Sequence, residues 1–153
     1  KRKLEQEINI LEQLTTSSKT FVTAQSLGLN PLRKSLPEVF TKLTQEYQTI
    51  LDLALEERIY KVEHDLSKRL RSLAKQLTVL RAGPKDVIDL HSTAIQAKWE
   101  KSNPLKRKSY ADEGRFVALE LMGYLTTFYR NQSLSQKTLS TKQEESLAGK
   151  ENE

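Results

Sequence analysis

Apolar residues recur along this chain in steps of three and four, the repeat of helices that each turn one face inward. Leu4, Ile8, Leu11 and Leu14 form a short stripe flanked by Lys, Glu and Gln, which predicts an amphipathic arm. Thr15, Thr16, Ser17 and Ser18 weaken it, and Ser26-Leu27-Gly28-Leu29-Asn30-Pro31 reads as a turn, because Gly and a pre-proline residue both leave helical geometry. A helix of about 14 residues is marginal in water by itself. The arm therefore needs a surface to dock on, in its own chain or in a twin.

Ser35, Pro37 and Glu38 predict the next helix start, with Ser35 as N-cap and Glu38 closing a capping box. Phe40, Leu43, Tyr47, Ile50, Leu51 and Ala54 then mark a helix from about 37 to 55. Ile59, Val62, Leu66, Leu70, Leu73, Leu77 and Leu80 repeat at nearly heptad spacing. The stripe from Leu66 to Leu80 reads as core of a bundle, with a coiled-coil seam as the alternative. Gly83 is expected to supply the left-handed C-cap that ends this helix, and Pro84 to open the next. Val87, Ile88, His91, Ala94, Ile95 and Trp99 are its buried side, and Ser102-Asn103-Pro104 stops it.

A basic loop from Lys101 to Tyr110 leads into a last helix expected from about 110 to 132. Val117, Ala118, Leu121, Tyr124, Leu125 and Phe128 share one face there, while Leu119 and Met122 lie off it. Such a helix meets two surfaces, a core and a dimer interface. Residues 133 to 153 lose the pattern and read as disordered. The expectation is an all-α, four-helix bundle-like domain over residues 35–132, with an N-terminal helical linker arm over 1–34 and a disordered tail over 133–153. It forms a dimer, with exchange of the arms left open. The chain starts at Lys1 and runs straight into helical sequence, which suggests that another domain precedes it.

Composition sharpens this picture. Hydrophobic residues are 37% of the chain and charged residues 29%, so the core is thin and a second copy would help to complete it. There is no Cys, which excludes disulfides and thiolate metal sites and makes a reducing cytoplasm the default. No apolar run approaches the roughly 20 residues that span a bilayer. The net charge of +5 raises nucleic acid as an alternative. Acids are interspersed, however, and the dense run Lys106-Arg107-Lys108 is read as a loop with no aromatic stacking platform around it.

Candidate chemistry is sparse. His64 and His91 are too far apart in sequence for the i, i+4 pairing of a helical zinc site. Ser92 is merely the sequence neighbour of His91, and adjacent helical residues do not face each other. Glu56-Glu57 and Asp112-Glu113 sit at predicted helix starts, where acids favour the dipole, and the glycines never group into a phosphate loop. The chain is read as non-catalytic, without cofactor or metal. Candidate partner-binding or dimer-forming residues are His91, Trp99, Tyr124, Phe128, Tyr129 and Arg130, since amphipathic aromatics and arginines anchor interfaces. The competing reading makes His91 a packed, internally bonded histidine and leaves Trp99 and Tyr124 equally placed as core.

Tyr47-Gln48-Thr49-Ile50-Leu51, Gly83-Pro84-Lys85-Asp86-Val87-Ile88-Asp89-Leu90-His91, Leu121-Met122-Gly123-Tyr124 and Phe128-Tyr129-Arg130 stand in one order over roughly residues 38 to 132. In that order they resemble a family that contains the N-terminal domain of the phosphatase RsbU and the C-terminal domain of the clock protein KaiA. The resemblance implies a symmetric helical dimer that regulates a partner by binding it: a KaiC-like ATPase in one branch, an RsbT-like switch kinase in the other. The length of the Lys101 to Tyr110 connection is nearer to KaiA, whereas Met122-Gly123-Tyr124 is nearer to RsbU. A basic nucleic-acid binder and a structural coiled-coil spacer are the competing classes.

Overall fold

Proline sets where the helices begin. Three of the four prolines open a helix, where the missing N–H costs nothing because the first turn has no intrahelical acceptor for it. The computed structural model describes residues 2–16 and 30–151, and it is all-helical, with no strand among the described residues. Its elements are α1 (Arg2–Thr16), α2 (Leu32–Ser35), α3 (Pro37–Tyr60), α4 (Leu66–Val79), α5 (Pro84–Glu100) and α6 (Pro104–Glu151). The expected turn over Ser26 to Leu29 falls outside the described residues, as do Ser17 and Ser18.

Several boundaries differ from the expectation for local reasons. Ser35 does not cap α3. It ends the short α2, and its hydroxyl donates to the carbonyl of Pro31, so Leu36 occupies the N-cap position without a side-chain bond. The helix from Pro37 continues beyond 55 to Tyr60 and stops where Lys61 turns left-handed at φ 53°. Asp65, also left-handed, precedes α4. Ile59 and Val62, read as the start of the heptad stripe, are therefore exposed, while Leu70, Leu73 and Leu77 are buried.

Gly83 is not the left-handed residue behind α4. Arg81 takes that conformation, with Ala82 N–H donating to Leu77 O at 2.9 Å and Arg81 N–H to Thr78 O at 3.0 Å. Gly83 is extended and serves as N-cap of α5, its N–H donating to Asp86 Oδ2 at 2.9 Å. The second oxygen of Asp86 accepts from Leu32 N–H at 3.0 Å, so one carboxylate ties α2 to the start of α5.

The basic stretch expected as a loop belongs largely to α6. Asn103 caps that helix, its Oδ1 accepting from Lys106 N–H at 2.9 Å, so Asn103-Pro104 starts an element as well as ending one. Residues 133–151, expected to be disordered, continue the same helix, with exposed side chains over 133–149.

Cross-helix pairs fix the directions. Gln76 reaches Glu46, and Trp99 and Arg107 meet near the other turn, so α3–α4 and α5–α6 are antiparallel hairpins. Tyr47 meets His91 and Asp52 meets Lys98, which sets α3 parallel to α5; Ser67 meets Glu120 and Ala82 meets Tyr129, which sets α4 parallel to α6. The core lies between the hairpins, with Tyr47, Ile50, Leu51, Leu70, Leu73, Leu77, Val87, Leu90 and Leu121 fully buried. The arm α1 packs on α5 through the half-buried Ile8 and Leu11. No helix among the described residues is long and apolar enough to cross a membrane.

Candidate interaction site

His91 sits at the middle of α5, buried, with Nδ1 2.7 Å from the Tyr47 hydroxyl and the two rings edge to face at 5.8 Å. The Tyr47 hydroxyl is also 3.5 Å from Gly114 O. The shorter contact takes the phenolic proton, so we assign the imidazole proton to Nε2. Burial pushes His91 down to about 4; Glu7 opposes that shift and Arg115 adds to it. Burial also raises the Tyr47 phenol. At neutral pH the pair is therefore an uncharged buried hydrogen bond.

Gly114 allows the approach. A Cβ built there would stand 2.9 Å from His91 Cε1 and 3.1 Å from Ile95 Cδ1, with Leu51 Cδ2 at 3.5 Å. The imidazole cannot swing away without giving up Tyr47. Gly114→Ala is expected to destabilise the fold by about 1–3 kcal/mol, the usual range for overpacking. Pairing it with His91→Ala should recover part of that loss, and strictly additive denaturation energies would show that the contact does not matter.

Around His91, the arm covers a small pocket lined by Glu7, Ile8, Leu11, Ile95, Trp99 and Ala111. Arg115 of α6 clasps Glu7, with Nε donating to Oε1 at 2.6 Å, and this hydrogen bond holds the Glu7 carboxyl below its ordinary range. Trp99 is half-buried under the Arg107 guanidinium, which lies 5.2 Å above its ring and donates from Nε to Trp99 O at 2.9 Å.

The other sequence candidates lie elsewhere, along the contact of α6 with α4. Tyr124 is half-buried, donates to Glu120 Oε1 at 2.9 Å, and carries Arg71 5.4 Å above its ring. Phe128 packs on the core edge, Tyr129 donates to Ala82 O at 2.7 Å, and Arg130 is exposed. The structure thus places His91 and Trp99 beneath the arm, and Tyr124, Phe128 and Tyr129 beside α4, rather than joining all six. His64 lies on the connection before α4, its Nε2 3.0 Å from Glu56 Oε2. Among the described residues no three His, Asp or Glu side chains gather as a metal site.

Sequence reading missed one surface in part. Leu119 was recognised as lying off the core stripe, but Leu105, Phe116 and Leu134 share its side of α6, and all are exposed, Phe116 at 66% and Leu119 at 67%. At 100° per residue these four fall within about 60° of one another, with Gly123 among them. The signal was present in the spacing of Phe116 three residues before Leu119. No protein family, curated protein or solved structure matches this chain.

Proposed function

We propose that this chain is a non-catalytic regulatory domain of the bacterial cytoplasm, a four-helix bundle formed by α3 to α6 that pairs with a second copy and modulates an ATPase- or kinase-type partner protein by binding it. The observation that carries the reading is the second face of α6. One side of that helix supplies Tyr110, Val117, Leu121 and Leu125 to the core, and the other presents Leu105, Phe116, Leu119 and Leu134 without a partner among the described residues. A glycine in an exposed helix interior costs about 1 kcal/mol relative to alanine. At Gly123 a side chain would touch nothing within 4 Å, so the chain's own packing does not require glycine there. Close approach of a second helix would use it.

A twofold axis through Gly123 would lay two α6 helices antiparallel, Phe116 of one opposite Arg130 of the partner subunit, as an isologous interface demands. Guanidinium against an aromatic face is favourable there. The ordered resemblance to KaiA and RsbU domains supports the same reading and suggests a KaiC-like ATPase or an RsbT-like kinase as the partner class.

Analytical ultracentrifugation tests the pairing. The chain is expected to sediment as a dimer at micromolar concentration, and Phe116→Arg with Leu119→Arg to raise the dissociation constant roughly 100-fold, as loss of central apolar anchors does. Circular dichroism of the variant should stay helical, because both positions are exposed. A wild-type chain that remains monomeric across that range would end the proposal.

A further inference from the structure

The net charge of this chain is concentrated on one helix and the turn behind it. Residues 66–85 carry Lys68, Arg69, Arg71, Lys75, Arg81 and Lys85 and no Asp or Glu, so the rest of the chain, against a total of +5, sums to −1. All six cations are exposed, and none forms an ion pair among the described residues. Along the outward side of α4, Lys68, Ser72, Lys75 and Val79 stand at i, i+4, i+7 and i+11, a single straight stripe. Val79 is 81% exposed, and Lys68, Arg69 and Ser72 line a shallow cleft with Glu46, His64 and Asp65, the last standing at the N-terminal end of the stripe.

We propose that this stripe docks an acidic amphipathic helix of a partner protein, with glutamates one heptad apart meeting Lys68 and Lys75 and an apolar residue meeting Val79. The inference rests on the reading of the chain as a partner-holding domain and adds the partner's chemistry. Charge complementarity selects an anion, and the flanks set its width. Glu46 borders the stripe on α3, held by Gln76, and Glu120 borders it on α6, held by Ser67 and Tyr124. A nucleic-acid duplex wider than the stripe would set phosphates against both carboxylates, whereas a single helix aligned with Lys68 and Lys75 need not meet them. Single-stranded nucleic acid needs exposed aromatic platforms, and the Tyr124 ring on the neighbouring helix is taken up by Arg71 and Glu120. An anionic membrane surface calls for large apolar or aromatic side chains to insert, and the stripe offers only Val79. Ser72 keeps the ridge low between the two lysines, whose alkyl stems can lie along a partner helix.

The test uses the full chain and a synthetic helical peptide carrying glutamates one heptad apart and a leucine placed to face Val79. A control peptide of the same composition scatters the glutamates around the helix. Fluorescence anisotropy should show binding of the aligned peptide, weakened as salt rises, and at least about tenfold weaker binding of the scattered one. Lys68→Glu with Lys75→Glu should abolish binding of the aligned peptide while leaving helicity and sedimentation unchanged, and a peptide with lysines in place of the glutamates should bind that variant. Sedimentation reads the pairing through α6 independently, so the two readings fail separately. Equal affinity for both peptides, absence of binding, or tighter binding of duplex DNA or phosphatidylserine vesicles would overturn the proposal.

Discussion

Tyr47→Ala should lower the free energy of unfolding by roughly 3–5 kcal/mol, the range for deleting a large buried aromatic side chain. Tyr47 is completely buried between α3, α5 and α6, so the cavity would open at the meeting point of three helices. The ring accounts for most of that loss, and Tyr47→Phe separates the remainder. It keeps the packing but leaves His91 Nδ1 with no donor among the described residues, a loss of about 1–3 kcal/mol. Against native stabilities of about 5–15 kcal/mol, the alanine variant's loss removes a large share of the total. Urea denaturation followed by circular dichroism measures both. If Tyr47→Phe unfolds at the wild-type midpoint, the hydrogen bond contributes nothing.

Acidification should act on the same pair. The folded-state value of His91 is about 4 and its ordinary value is 6.5, so between those limits the unfolded chain binds a proton that the folded chain refuses. Stability is then whole above pH 6.5 and falls as pH drops toward 4. For a shift from 6.5 to about 4, at 1.36 kcal/mol per pH unit, the loss is about 3 kcal/mol. Other groups titrate in or below that window: Glu7, held low by Arg115, loses its ion pair at lower pH, and Asp89 is raised by burial. Comparison with His91→Gln isolates the imidazole. The wild-type curve of unfolding energy against pH should slope more steeply than the variant's from pH 6.5 to 4, and parallel curves would show that His91 is not the origin.

How much of this was legible in the sequence depends on whether a feature is periodic or positional. The stripes from Phe40 to Ala54 and from Leu70 to Leu77 gave helices with the expected buried faces, because apolar spacing reports burial directly. Helix ends were less readable. Ser35 has the chemistry of an N-cap but is consumed by a four-residue helix that periodicity cannot show. Gly83 is the residue most suited to positive φ, yet Arg81 adopts it, because Ala82, one step later, must be buried and bonded to Leu77. Asn103-Pro104 carries a stop signal for one helix and a start signal for the next, and only the first was used.

The candidate residues divide in the same way. His91 was weighed as a partner-facing or an internally bonded group, and its neighbour Tyr47 stands 44 residues away in sequence, so spacing alone could not decide. Phe116 stands off the core-facing stripe of α6, so the periodicity that marks burial does not single it out. The basic character of α4 escaped because its cations are spread through a leucine stripe and do not form a run such as Lys106-Arg107-Lys108. Counting charge over residues 66–85 would have revealed it.

The length of α6 separates the molecule into two thermodynamic regimes. At 1.5 Å per residue its 48 residues extend about 70 Å. The portion up to Tyr129 shares side chains with the core, whereas residues 133–149 are exposed and share none. Helical order in that last stretch, beyond the Leu134 that the proposed pairing covers, draws on its own backbone bonds. It can melt and re-form many times while the body remains native, so amide exchange along one continuous helix should pass from slow to fast within a few turns of Arg130.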